Sequence, residues 1–176
     1  MIALISFIDI STQLRDIVPV QCSDLQSMDP SVTTIFITKL SCNDDTFTIF
    51  DFSQYSLLKT IEVGDDCFES VQTFRIDGLN QLQTIKIGKN SFTLVKKGNM
   101  DWNKIDNPSR SFHILNCESL ESIEIGEYSF SDFAGEFELK NLTQLQSIQI
   151  GTKGKDSYNF YYSSFVIRGI KLILNI

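Results

Sequence analysis

The sequence predicts a repeat solenoid, a stack of parallel β coils of about 25 residues with two short strands per coil and little or no helix. Three observations predict it. The heptad L-x-x-I-x-[IV]-G recurs in phase as Leu58-Lys-Thr-Ile-Glu-Val-Gly64, Leu82-Gln-Thr-Ile-Lys-Ile-Gly88, Leu120-Glu-Ser-Ile-Glu-Ile-Gly126 and Leu145-Gln-Ser-Ile-Gln-Ile-Gly151. A second apolar alternation precedes each copy at a constant offset, and a Phe follows three of the glycines four residues later. Self-similarity at such a period is the signature of coils that bury their apolar edges only against one another.

Each element follows from this phase. Within L-x-x-I-x-I the apolar and polar residues alternate, and a period of two is that of a half-buried strand. The preceding element reads Phe50-Asp-Phe52, Phe74-Arg-Ile76, Phe112-His-Ile114 and Phe137-Glu-Leu139, each beginning eight residues before the next Leu. One more apolar residue, Tyr55, Leu79, Cys117 or Leu142, stands three before that Leu. The turns after the glycines read Asp66-Cys67-Phe68, Asn90-Ser91-Phe92 and Tyr128-Ser129-Phe130. Val32-Thr-Thr-Ile35-Phe-Ile37 fits the first element, and Phe165-Val-Ile167, Ile170, Ile173 and Ile176 fit the slots at the other end. The expected organisation is therefore an irregular cap or degraded coil over 1–31 and a solenoid of five to six coils over 32–176. The third interval carries about 13 extra residues, read as a loop insertion near 93–111.

Composition bounds the function classes. The chain has 176 residues, 42% of them apolar, and its 14 Phe against 3 Pro suit many short buried strands. A net charge of −7 with 15 scattered basic residues excludes a phosphate-tracking nucleic-acid binder, which needs clustered Lys and Arg. Met1 to Ile10 are apolar but carry Asp9 and lack a basic leader, and no apolar run reaches the roughly 20 residues of a membrane span. No membrane insertion is expected; the default compartment is intracellular. Cys22, Cys42, Cys67 and Cys117 show no C-x-x-C spacing, so neither a disulfide framework nor a metal site is expected, and no cofactor.

The repeated strand, turn and small-residue-Phe pair resemble leucine-rich repeats, most closely the BspA-like variety of surface proteins. Gly64, Gly88, Gly126 and Gly151 stand where that family commonly has Pro, and Cys67, Ser91 and Ser129 where it has Ala. The resemblance implies an adhesion or recognition module without catalytic residues, and admits a cell-surface location.

Two outward columns follow from the alternation. Thr34, Thr60, Thr84, Ser122 and Ser147 form a hydroxyl ladder, whose ordinary role is sheet stabilisation and whose functional reading is a platform for a protein or glycan. Phe36, Glu62, Lys86, Glu124 and Gln149 form the second. The other strand contributes Asp51, Arg75, His113, Glu138 and Val166. In the insertion, Lys96, Lys97 and Trp102 are candidate partner contacts, as are Tyr161 and Tyr162 in the last long turn. Asn43-Asp-Asp45 and Asp65-Asp66 read as turn chemistry and not as calcium ligands. Asn141-Leu-Thr143 matches a glycosylation sequon, but the column Gln54, Gly78, Asn116, Asn141 and Gly169 reads as a bend inside the stack, where Asn bonds backbone groups of a neighbouring coil.

A reading as a β-helix polysaccharide-cleaving enzyme fares poorly. Glu62 and Glu124, two coils apart and about 9 to 10 Å from each other, are the best acid and base pair available. Lys86 between them would hold both carboxyls ionised, the opposite of what a general acid needs. His113 has no nucleophile motif beside it. The expected function is a non-catalytic binding or adhesion module for a protein, or a glycan, with a structural spacer in a longer repeat array, prone to end-to-end association, as the alternative.

Overall fold

The computed structural model describes residues 22–96, 98 and 106–170. Ten strands alternate between two sheets: β1 (Thr34–Ile37), β2 (Ile49–Asp51), β3 (Thr60–Val63), β4 (Thr73–Asp77), β5 (Thr84–Ile87), β6 (Ser111–Leu115), β7 (Ser122–Ile125), β8 (Glu136–Lys140), β9 (Ser147–Ile150) and β10 (Ser164–Arg168). The odd strands form one parallel sheet in the order β1-β3-β5-β7-β9, the even strands the other in the order β2-β4-β6-β8-β10. Each coil therefore contributes one strand to each sheet, and the core lies between them. Thr34, Thr60, Thr84, Ser122 and Ser147 pair in sequence, so successive coils advance by 26, 24, 38 and 25 residues. Ile35, Ile61, Ile85, Ile123 and Ile148 align in one row, as the repeat predicts, buried at all but the last member.

The interior holds two columns of aromatic rings. Phe50, Phe74, Phe112 and Phe137 stack with centroids 4.7 to 5.0 Å apart. Phe68, Phe92, Phe130 and Phe160 do the same at 4.7 to 4.9 Å. The columns meet edge to face, as in Phe74 against Phe92 at 5.3 Å and Phe112 against Phe130 at 5.0 Å. Parallel rings within a column and perpendicular rings between columns satisfy the ring quadrupole in both directions, worth about 0.5 to 1.5 kcal/mol per pair beyond area burial. Phe160 continues the turn repeat into the last coil, where Tyr158-Asn159-Phe160 occupies the place of Tyr128-Ser129-Phe130.

The turns explain the spacings. Leu58, Leu82, Leu120 and Leu145 donate their N–H to the carbonyls of Tyr55, Leu79, Cys117 and Leu142, closing a four-residue turn that places both apolar residues inward. After each odd strand two residues separated by one take left-handed φ: Leu40 and Cys42, Asp66 and Phe68, Asn90 and Phe92, Tyr128 and Phe130, Tyr158 and Phe160. The alternation turns successive amides in opposite directions. Asp66, Asn90 and Tyr128 donate to the following coil, and Phe68, Phe92 and Phe130 to the preceding one. Coils thus remain hydrogen-bonded around the corner, where Ser91 and Ser129 also donate Oγ–H to the carbonyls of Gly64 and Gly88 at 2.8 and 2.6 Å.

Two expectations are corrected. Cys22 and Cys42 form a disulfide, with Cα atoms 5.2 Å apart. Cys42 occupies the slot that later coils fill with Phe, so the bridge ties the segment before β1 to the first end of the aromatic column. That segment begins with a 3-10 turn at Cys22–Asp24, and its Leu25 is fully buried and accepts the Tyr55 hydroxyl at 2.7 Å. The described part of 1–31 holds this 3-10 turn and no strand, and it packs against the first coils. The second correction concerns the column of Gly78, Asn116, Asn141 and Gly169, which has left-handed φ throughout but lies exposed on the surface. Its Asn side chains bond one another: Asn141 Nδ2 donates to Asn116 Oδ1 at 2.7 Å, and Asn116 Nδ2 to Asp77 Oδ1 at 2.8 Å.

Candidate functional site

The outward face of the odd-strand sheet carries the predicted columns in register. Thr60, Thr84 and Ser122 are half-buried, Ser147 is exposed, and Ser122 Oγ donates to Thr84 Oγ1 at 3.4 Å. Lys86 Nζ lies 3.7 Å from Glu62 across the strand boundary. Such pairs fix register, at about 0.2 to 1 kcal/mol each. This face is flat, mixed in charge and largely self-satisfied.

The described legs of the insertion are built into the stack. Thr93 and Val95 are buried, and Thr93 Oγ1 lies 2.8 Å from Ser131 Oγ, which donates to the Val95 carbonyl at 2.6 Å. On the other leg Arg110 is buried against Asp132, Nη1 to Oδ2 at 3.1 Å, and donates Nη2–H to the Glu69 carbonyl at 2.8 Å. Burial pushes the Asp132 carboxyl up and the Arg110 guanidinium down from their ordinary values, against the attraction between them. Lys96 turns back to Glu69 at 3.2 Å and Asp66 at 3.8 Å. Its ammonium is thus neutralised by the second coil. Lys97 and Trp102 lie outside the described residues.

The last turn gathers tyrosines. Tyr128 and Tyr158 have ring centroids 5.8 Å apart, Tyr158 and Tyr161 5.7 Å, and Tyr161 and Tyr162 4.9 Å. Tyr161 and Tyr162 are 54% and 50% exposed, while most described Phe side chains are buried in the core. Tyr128 and Tyr158 have φ of 63° and 49° at a position that the earlier coils fill with Leu40, Asp66 and Asn90. Asp and Asn tolerate left-handed φ through local hydrogen bonding, but Leu40 and the core residues Phe68, Phe92, Phe130 and Phe160 adopt it as well, so this backbone belongs to the turn of every coil.

The even-strand sheet assembles a cluster that the repeat pattern does not announce. His113 on β6 pairs laterally with Glu138 on β8, Nδ1 to Oε2 at 3.5 Å. Glu136 stands two residues earlier on the same face of β8, and one ligand atom from each of the three lies within 4.8 Å of the others. A signal is present in the sequence, because His113 and Glu138 share a column. Reading that column for net charge passes over it, since ligand type is a separate property. The remaining cysteines do not join the cluster. Cys67 and Cys117 are buried free thiols, and burial pushes Cys117 up to about 11, so it is an inert filler of the core.

Asp44 shows the turn chemistry expected of the acidic pairs: Oδ1 accepts the Thr46 N–H at 2.8 Å and the Thr46 hydroxyl at 2.6 Å, which lowers its pKa. No helix among the described residues is long and apolar enough to cross a membrane.

These features define a class: a two-sheeted parallel β-solenoid with a double aromatic core, an insertion anchored on one edge and a tyrosine cluster at one corner. No family model, no curated protein and no solved structure matches the chain.

Proposed function

We propose that this solenoid is a non-catalytic binding module that meets a protein partner through the corner formed by Tyr128, Tyr158, Tyr161 and Tyr162. One observation carries the reading: Tyr161 and Tyr162 are half-exposed and join Tyr128 and Tyr158 in one chain of ring contacts at a single corner, whereas most described Phe rings are buried in the core. Tyrosine combines a large apolar ring with a polar tip at low entropy cost, which is why it is enriched at protein interfaces. The stack beneath holds the rings on a rigid base. Thr60, Thr84, Ser122 and Ser147, aligned along the sheet, form the flanking surface of this reading and not its centre.

The test compares capture from an extract of the source cells by the native chain and by a Tyr161→Ser/Tyr162→Ser variant with an unchanged melting temperature. A protein retained by the first and lost by the second supports the assignment. Equal capture removes the tyrosines from the mechanism, and binding to a glycan array that depends on the same residues transfers the site to a carbohydrate.

A second reading has its own observation. Ile148, Ile150, Phe165 and Ile167 continue buried interior rows but are 37% to 56% exposed in the last coil. A solenoid end of this kind supports continued stacking, as in a structural spacer. Light scattering of the isolated chain tests it: a monomer at all concentrations argues against end-to-end association.

A further inference from the structure

We propose that His113, Glu136 and Glu138 form a binding site for a divalent transition-metal ion of the zinc type. The three side chains project from the outer face of adjacent strands, His113 from β6 and both carboxylates from β8, so the sheet register itself brings them together. Their ligand atoms lie within 4.8 Å of one another. Ligands held at about 2.0 to 2.1 Å around tetrahedral zinc sit roughly 3.3 Å apart, so closing on an ion requires only side-chain rotation. Glu136 is exposed and has that freedom.

A second observation points the same way. His113 Nδ1 is shielded from solvent and has no hydrogen-bond partner, although the Glu138 carboxylate is 3.5 Å away. A shielded imidazole nitrogen without a partner is unusual, because such groups are nearly always satisfied. An ion between the nitrogen and the carboxylates satisfies all three at once.

The surrounding charges leave room for a cation. Arg75, the neighbour of His113 on β4, is turned to Asp77 at 2.5 Å. On the far side of Glu138 the neighbour is Val166. Lys140, two residues beyond Glu138, and Arg168 beside it are the remaining cations on this face, and among the described residues no ion pair joins either to Glu136 or Glu138. With neutral His113 the trio carries two negative charges, matching a divalent ion. One imidazole with two carboxylates favours zinc and its first-row neighbours over calcium or magnesium, which prefer all-oxygen shells. Three protein ligands leave a coordination position for water.

The experiment is a titration of the untagged, chelator-treated chain with zinc chloride against a chromophoric competitor at pH 7.5. One ion per chain is expected, with affinity at least tenfold weaker in Glu136→Gln and in His113→Ala. Glu136→Gln changes an exposed side chain, so its effect is separable from misfolding, and an unchanged melting temperature verifies this. Zinc should raise the melting temperature of the native chain and not that of either variant. Absence of zinc binding, equal affinity in all three proteins, or equal preference for calcium would overturn the site.

Discussion

At the scale of single residues, Arg110 and Asp132 show how a regular stack accommodates an irregular insertion. Both are nearly fully buried, and the guanidinium bridges Asp132 to the Glu69 carbonyl, so the pair closes the base of the insertion on the neighbouring coils. Burial raises the Asp132 pKa above its ordinary value. Its own contribution to stability is therefore fully present below about pH 3.9 and declines as the pH rises through the shifted value. The pair is a source of geometric specificity more than of net stability. Replacing one partner strands a buried charge: Asp132→Asn is expected to cost about 3 to 5 kcal/mol in urea unfolding. Arg110→Met combined with Asp132→Leu should recover most of that loss, and a double variant as unstable as the single one would refute the pairing as its cause. Arg110 has no basic counterpart in the other coils, and the place of Asp132 is taken by Asp44, Ser70, Leu94 and Tyr162, of which Asp44 closes a local turn. Their partnership is therefore invisible to a reading by repetition. The tyrosines are partly legible: Tyr161 and Tyr162 stand out in the sequence, whereas their grouping with Tyr128 and Tyr158 depends on the stacking of coils that only the fold reveals.

At the scale of elements, the glycines divide into two kinds with different physics. Gly64, Gly88 and Gly126 end the odd strands where successive backbones approach most closely. A Cβ on Gly88 would lie 2.6 Å from the Gly64 carbonyl carbon, and one on Gly126 would lie 2.6 Å from that of Gly88. The column must be glycine because each coil rests on the backbone of the last. Gly78 sits at a φ of +73° on the opposite corner, where a Cβ would meet nothing within 4 Å, in the column that uses Asn116 and Asn141 at the same bend. Gly88→Ala is expected to destabilise by at least about 2 kcal/mol, since the obstructing atoms are largely backbone. Gly78→Asn should change stability by less than about 0.5 kcal/mol, because Asn tolerates this φ. Thermal melts of the two variants check the contrast, and equal losses would mean that the two glycine columns are not distinct. In the sequence both kinds read simply as corners, since a glycine needed for space and one needed for φ are spelled alike.

At the scale of the whole molecule, one covalent bond ties the segment before β1 to the stack. The Cys22 to Cys42 bridge encloses a separation of 20 residues, and closing a loop of that length in the unfolded chain is worth roughly 3 kcal/mol. A Cys22→Ser/Cys42→Ser variant should melt lower than the oxidised chain, and reductant should lower the oxidised chain to a similar temperature. A melting temperature indifferent to both changes would show that the bridge does not hold that segment to the stack. The sequence by itself determined the solenoid, the two strands per coil, the interior isoleucine row and the outward columns, because each depends on a local period of two repeated at a longer interval. Tertiary structure alone decided the disulfide, the buried ion pair, the exposed Asn ladder and the grouping of His113 with Glu136 and Glu138. Those depend on which residues of different coils arrive side by side, and periodicity specifies a register without stating what singular side chains will do once they meet.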